Sequence, residues 1–194
     1  IIFKSAEEST TRRQMIEGGE ADIAFDITAS DAEAMASDQN LTIEVTDTEK
    51  NLQCFLNVEA GPLQDQKVRQ AIAYSFPYQD VIDYVQYGKY ATLPKDVIAP
   101  ATLIGSTTEI PYTYDLDKAK ALLEEAGKAD GFELTASYHN IDEDTKKVLE
   151  LWKSELSKLN VTLNIEANSW EVVYNKAKSA NPEERDDLFI CKTF

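Results

Sequence analysis

The sequence has 194 residues, of which 43% are hydrophobic and 28% charged, a composition typical of a folded globular protein. Its 19 Lys and Arg stand against 35 Asp and Glu, which gives a formal net charge of −16. So acidic a chain repels a phosphate backbone, and we therefore expect no nucleic-acid partner. It also contains no apolar run near the ~18 residues that a membrane span requires.

Strand-like and helix-like stretches alternate through the first part of the chain. A polar stretch, TDTEKN from Thr46 to Asn51, predicts a boundary between a small N-terminal βαβ piece and a larger remainder. The predicted strands are Ile1–Lys4, Ala21–Ile27, Leu41–Val45 and Leu52–Val58, and the predicted helices are Ser9–Gly18 and Ser30–Ser37.

The stretch GPLQDQKVRQAIAYSF, from Gly61 to Phe76, predicts a turn, a helix cap at Asp65 and an amphipathic helix that ends before Pro77. Amphipathicity does not explain Arg69 in this helix. We expect Arg69 to be a structural residue that binds carboxylates or helix-end carbonyls, rather than a ligand contact.

The alternation continues to the end of the chain, with a loop predicted from Ala91 to Tyr114. Strand–helix–strand repeats of this kind predict an α/β fold, with a mixed, largely parallel sheet and flanking helices. The further helices predicted are Pro77–Gly88, Asp115–Gly127, Asp142–Asn160 and Ser169–Ser179, and the further strands are Phe132–Tyr138, Val161–Ala167 and Asp187–Phe194.

Residues that carry chemistry are few, and no nucleophile elbow, phosphate loop, dinucleotide or zinc-protease motif occurs. We therefore expect no enzyme, no cofactor and no metal. The single histidine, His139, is typical of a polar loop residue, but the ends of strands are also where open α/β sheets contact ligands. Trp170, which opens a helix after a strand, is expected in the core, with the wall of a cleft as the alternative.

The two cysteines, Cys54 and Cys191, lie far apart in strand-like stretches and fit no metal or redox spacing. We expect two buried free thiols, with a disulfide as the alternative in an oxidising compartment. The chain opens at Ile1 within a strand-like stretch, which predicts that it was taken from a longer protein.

Several motifs, in order, resemble the family 5 extracellular solute-binding proteins, the receptors of peptide, nickel and related ABC importers. They are N-x-E-x-G-P-L-x-D-x-x-V-R-Q-A-I-A-Y-S-F from Asn57, then DVIDYVQYGKYATLP, PYTYDLDKAKALLEEAG, LSKLNVTLNIE and the W-x-x-x-Y helix from Trp170. Upstream, TTRRQMIEGGEADIAF is similar to another segment of that family. The resemblance spans essentially the whole chain.

The resemblance implies a lobe of the type II (cluster C) periplasmic-binding-protein fold. It assigns residues 1–49 to a remnant of the first lobe, 50–58 to a hinge strand, and 59–194 to a second lobe that is incomplete at its C-terminal end. The implied function is the ligand-binding subunit of an ABC importer, which captures peptides or similar small solutes between two lobes and delivers them to a membrane permease. The alternatives are a ligand-sensing domain of similar fold in a regulator or receptor, and an unrelated α/β enzyme.

The resemblance also implies an extracytoplasmic location, with a lipid anchor expected in the full-length protein. The segment by itself is expected to bind ligand weakly and to expose surfaces through which copies could self-associate. The ligand-binding positions that the resemblance implies are Cys54, Asn57, Tyr138, His139, Asn140, Lys192 and Phe194.

Overall fold

The structure is a computed structural model that describes residues 1–48, 50–93 and 112–193. In it, the short helix Tyr78–Asp80 continues directly into a π-helix, Val81–Val85. No helix in these ranges is long and apolar enough to cross a lipid bilayer. The helices are α1 (Ser9–Glu17), α2 (Ala29–Met35), α3 (Gln66–Tyr74), α4 (Tyr78–Asp80), α5 (Leu116–Glu125), α6 (Glu143–Ser157) and α7 (Trp170–Ala177), and the strands are β1 (Asn51–Leu56), β2 (Phe132–His139), β3 (Val161–Asn168) and β4 (Leu188–Thr193).

The strands form one four-stranded sheet in the order β1-β4-β2-β3. β2 runs parallel to β3 and to β4, whereas β1 runs antiparallel to β4. The predicted mixed, largely parallel sheet is confirmed. Because β2, β3 and β4 are parallel, their carboxyl ends lie at one edge of the sheet, and the start of β1 lies there too.

One side of the sheet is sealed by helices. Along β2, the alternate residues Leu134, Ala136 and Tyr138 are buried in a core that also contains residues of α3, α5 and α6. The residues between them point to the opposite side, where α7 contacts β2. The predicted pattern of helices on the sheet is thus present, and only one sheet face belongs to the main core.

The one buried indole of this core has its polar atom satisfied. Trp152 on α6 donates from its Nε1 to the Ser75 hydroxyl at 3.0 Å, and that hydroxyl donates to the Ile72 carbonyl at 2.8 Å. The Phe76 ring packs edge-on against Trp152 with ring centroids 5.1 Å apart. These contacts fix α6 against the end of α3, because a buried indole N–H without a partner would be costly.

The helix starts that the sequence predicted are confirmed by their caps. The carboxylates of Asp65, Asp115 and Asp142 accept hydrogen bonds from backbone N–H groups of the helices that follow, at 2.7, 2.9 and 3.1 Å. Each carboxylate satisfies an N–H group that has no partner within the helix.

Arg69 has the structural role that the sequence predicted. Its guanidinium donates to the carbonyls of Leu63 and Gln64, both at 2.9 Å, in the short 3-10 turn Pro62–Gln64 that precedes α3. The arginine thereby holds the turn against the helix.

The first part of the chain differs from the prediction. Residues 1–4, 21–27 and 41–45 form no strand in the structure, so helices α1 and α2 stand without the βαβ arrangement expected there. Phe3, Ile23, Phe25 and Val45 are exposed. An alternating pattern describes a face that could be buried, but a strand also needs a hydrogen-bonded neighbour, and none of the described residues supplies one.

The predicted loop from Ala91 to Tyr114 falls largely on residues 94–111, outside the described residues. The predicted domain boundaries near 49 and 58 stay predictions.

Asp187, immediately before β4, joins three strands. Its carboxylate accepts from the Thr135 backbone N–H at 2.8 Å and from the Thr135 hydroxyl at 2.9 Å on β2. Its carbonyl accepts from the Asn57 N–H at 2.9 Å, just after β1. This contact is important because β4 pairs with β2 over only two residue pairs, Ala136 with Leu188 and Ser137 with Phe189.

We predict that Asp187→Ala lowers the stability of this unit by about 2–3 kcal/mol, because it leaves the Thr135 N–H without its charged acceptor. Asp65→Ala is the matched control, since it removes an exposed cap that is worth about 1 kcal/mol. Differential scanning calorimetry of the full-length protein measures both. A loss at Asp187 no larger than the loss at Asp65 would contradict the role of this junction.

Candidate functional site

An aromatic face lies on the side of the sheet that the core helices leave open. Phe55 on β1 and Phe189 on β4 are direct cross-strand partners, with ring centroids 5.9 Å apart. Phe189 pairs in turn with Ser137 on β2, so His139, two residues further, is on the same side. The sheet register thus gathers residues from three strands on one surface.

Helix α7 supplies the remaining rings of this surface. Trp170, its first residue, lies 6.2 Å from Phe189 and 6.1 Å from His139 between ring centroids. Tyr174, one turn later, stacks on Trp170 at 5.9 Å. We call these five residues, Phe55, His139, Trp170, Tyr174 and Phe189, the aromatic face.

The rings of the aromatic face remain accessible. Phe55 is 49% exposed, Trp170 43% and Tyr174 48%. Clustered, half-exposed rings that extend to the carboxyl ends of β2 and β3, where His139 and Trp170 lie, are well suited to contact a ligand. For Trp170, the cleft-wall alternative therefore fits the structure better than the core position that we expected from the sequence.

A polar cluster lies beside the aromatic face, around the ammonium of Lys176 on α7. The ammonium contacts Asp186 at 2.7 Å, Glu166 at 2.9 Å and the Ser137 hydroxyl at 3.3 Å. Burial by itself would lower the pKa of Lys176, but the bonds to the two carboxylates outweigh it and raise the pKa. A lysine that stays protonated cannot act as the base for Ser137, so this serine–lysine contact is structural.

The predicted positions His139 and Asn140 lie at the carboxyl edge of the sheet. His139 ends β2 and belongs to the aromatic face. Asn140 is exposed, and its backbone N–H donates to the carbonyl of Asn168 at 2.9 Å, which ties the ends of β2 and β3 together. The structure therefore brings His139 next to Trp170, with Asn140 at the rim.

Two other predicted positions lie elsewhere. Asn57 is buried, and its side-chain amide donates to the Pro182 carbonyl at 2.9 Å. Tyr138 is 5% exposed on the helix-covered side of the sheet, and burial there raises its pKa. Asn57 and Tyr138 thus pack inside the unit and do not share the surface of His139.

The cysteines are free, as predicted, but they are less buried than expected: Cys54 is exposed and Cys191 half-buried. Cys191 pairs with Gln53, and Cys54 pairs with Ile190. Since directly paired residues share a sheet face, the two thiols point to opposite faces and cannot form a disulfide in this register. Cys54 also points away from the aromatic face.

The last two predicted positions, Lys192 and Phe194, are close to the C-terminal end of the sequence. Lys192 on β4 donates to the carboxylate of Asp142 at 3.0 Å, and this contact links the end of β4 to the start of α6. Phe194 lies outside the described residues.

The sequence did not predict Phe55, Phe189 and Tyr174 as candidate site residues, and it gave the cleft wall only as the alternative for Trp170. A signal was present in the W-x-x-x-Y spacing, since residues four apart share one face of a helix. The two phenylalanines carried no such signal, because their position depends on the pairing of β1 with β4.

We predict that, as the pH falls, the Lys192→Met variant begins to lose stability at a higher pH than the wild type. Burial raises the pKa of Asp142, but the Lys192 charge and the Thr145 N–H outweigh it, so the pKa lies below its usual value. The stability from this group is therefore present above the unfolded pKa of ~3.9 and is lost as the pH falls through the lower folded pKa.

Without the Lys192 ammonium, the effect of burial remains, so the pKa of Asp142 rises and the acid-induced loss begins at a higher pH. Calorimetric melting of the full-length protein between about pH 6 and pH 3 measures this difference. Lys153→Met, at an exposed position on α6, is the control. Identical acid profiles for wild type and Lys192→Met would refute the assignment.

Comparison with known proteins places the chain in a family. The sequence profile described as "Bacterial extracellular solute-binding proteins, family 5 Middle" matches residues 1–185. The glutathione-binding protein GsiB of Salmonella typhimurium is 32% identical over 168 residues, which are 86% of this chain and 32% of that protein. This chain thus spans about a third of the length of the curated relatives it matches.

Solved structures share the fold. The periplasmic binding protein DppA from Helicobacter pylori, in complex with the peptide STSA, has a TM-score of 0.83 at 22% identity, over 98% of this chain and 36% of that chain. A dipeptide-binding protein from Pseudoalteromonas sp. SM9913, in complex with Met-Leu, has a TM-score of 0.79 at 24% identity, over 96% of this chain and 36% of that chain. With its profile match over almost the whole sequence, the chain belongs to the bacterial extracellular solute-binding proteins of family 5.

Proposed function

We propose that this chain is part of the ligand-capturing subunit of an ABC importer, and that its aromatic face forms the second-lobe wall of the ligand site. The observation that carries the proposal is the cluster of half-exposed rings on the open face of the sheet, which reaches the carboxyl edge at His139, the end of β2, and at Trp170, just after β3. In open α/β sheets this edge is where ligands bind.

The charged side chains near the aromatic face are already paired, which favours ligand contacts through uncharged groups. Beside the aromatic face, Lys176 is paired with Glu166 and Asp186, and on the opposite side of β4 Lys192 is paired with Asp142. These ions already have partners, so the groups most available to a ligand are the rings and the backbone. A ligand would be held here by ring packing, backbone hydrogen bonds and bridging water, which allow varied side chains.

The names of similar proteins support a peptidic ligand. The curated relatives are named for glutathione, and two of the structural neighbours hold the peptide STSA and the dipeptide Met-Leu. All three ligands are short peptides. We propose the same class for this chain, with no catalysis.

The wider arrangement belongs to the same proposal. Residues 1–49 contribute to a first lobe, 50–58 cross between the lobes, and 59–194 contribute to the second lobe, which closes on the ligand by a hinge motion. The filled receptor delivers its ligand to a membrane permease. The family is named as extracellular, and we propose an extracytoplasmic location with a lipid anchor for the full-length protein.

We predict that Trp170→Ala and His139→Ala each weaken peptide binding by about tenfold, because each removes a ring from the binding wall. Isothermal titration of the full-length protein with glutathione, Met-Leu and Ser-Thr-Ser-Ala measures the effect. Tyr84→Ala is the matched control, since Tyr84 is an aromatic residue that is 73% exposed on the π-helix and makes no ring contact with the aromatic face.

Unchanged affinity in both variants, with melting temperatures equal to that of the wild type, would contradict the position of the site. Failure of the wild type to bind any of the three peptides would contradict the ligand class. Mass spectrometry of the compound that co-purifies with the protein would then identify the class to test next.

A further inference from the structure

Helix α2 is attached to the second-lobe segment, residues 59–193, by two separate contacts. Glu33 accepts from the Lys89 ammonium at 2.6 Å and from the Tyr90 hydroxyl at 3.2 Å. At the start of α2, the Ala29 N–H donates to the carboxylate of Asp144 on α6 at 3.4 Å. Helix α2 precedes the proposed hinge strand, so these contacts join the two sides of the proposed lobe boundary.

The backbone of the second-lobe segment is shaped to make the first contact. The π-helix Val81–Val85 is followed by two consecutive residues with left-handed backbone, Tyr87 with φ 54° and Gly88 with φ 68°. Positive φ is uncommon outside glycine and marks a turn that the surrounding structure maintains. The chain reverses there, and the next two residues, Lys89 and Tyr90, both reach Glu33.

On its own side of the boundary, α2 belongs to a unit with α1. The Thr28 N–H, at the start of α2, donates to the Ser9 hydroxyl at 2.8 Å, and Arg12 donates to the carbonyl of Asp26 at 2.6 Å. Between α2 and β1, residues 36–48 and 50 contain neither helix nor strand. No described regular element therefore bridges from α2 to the sheet, and the contacts of α2 decide how it sits on the second-lobe segment.

The polar part of the attachment, which adds to the buried side chains Ala29, Ala32 and Met35 of α2, is weak enough to be reversible. Glu33 is 37% exposed and Lys89 50% exposed, and an ion pair in water shifts an equilibrium by only about two- to fivefold. The second contact, at Asp144, also carries an energetic cost. The Oδ1 atom of Asp144 is buried without a hydrogen-bond partner among the described residues. A buried carboxylate oxygen without a partner favours separation.

We infer that α2 is a clasp between the lobes: the Glu33–Lys89–Tyr90 contact favours one lobe arrangement and is released when the hinge moves. The inference rests on the proposed two-lobe function. A clasp of this strength shifts the equilibrium between the two lobe arrangements without locking either one. A receptor that must both close on its ligand and release it requires such a reversible contact.

The test uses the full-length protein without ligand, and charge reversal at the clasp. Glu33→Lys and Lys89→Glu each place like charges together, and the double variant restores an ion pair of opposite polarity. Glu125→Lys is the matched control, because it reverses one partner of an exposed ion pair with Lys67 (2.9 Å) that lies wholly within the second-lobe segment.

We expect each single variant to speed hydrogen exchange of the α2 amides by about two- to fivefold and to change the radius of gyration in small-angle X-ray scattering. The double variant should restore both values, and Glu125→Lys should change neither. Failure of the double variant to restore exchange would overturn the pairing. Faster exchange with an unchanged radius of gyration would overturn the role between lobes.

Neither measurement requires a ligand. A failure of peptide binding would therefore count against the proposed function alone, and a failure of exchange and scattering against the clasp alone.

Discussion

The carboxylate of Asp187 is the contact on which the arrangement of the strands depends. The carboxylate accepts two hydrogen bonds from Thr135 on β2, and the backbone carbonyl of Asp187 accepts one from the Asn57 N–H, just after β1. In the sheet ladder, the antiparallel pair β1–β4 and the parallel pair β2–β3 are joined by only two residue pairs. The short ladder and the charge-assisted contact of Asp187 together hold the first two residues of β4 against β2, while β4 pairs with β1 along its whole length.

This arrangement produces the aromatic face. Phe189 lies on β4 next to the junction, so it faces Phe55 on one side and the end of β2 on the other. Trp170 follows β3 and closes the group. The opposite face is sealed by the core around Trp152, whose indole is bonded to Ser75. One face thus provides stability, and the other remains open.

Elements whose signals are local were predictable. The caps at Asp65, Asp115 and Asp142 are set by a side chain and the N–H groups two or three residues on, so the sequence contains the whole contact. The same holds for Arg69 and its turn. The N-terminal strands were not predictable in this way, because alternation at Ile23 and Phe25 describes a side-chain pattern and not the partner that a strand needs.

By itself, the sequence determined the α/β class, the capped helix starts, the free cysteines and the family resemblance, since these depend on residue type, spacing and order along the chain. It did not distinguish the π-helix Val81–Val85 within the single helix predicted from Pro77 to Gly88. Only the tertiary structure decided which residues share a surface. It separated Tyr138 from His139, although they are neighbours in the chain, because adjacent strand residues point to opposite faces. It brought Phe55, Phe189 and Trp170 together because strand register, which is a contact between distant segments, fixes that surface.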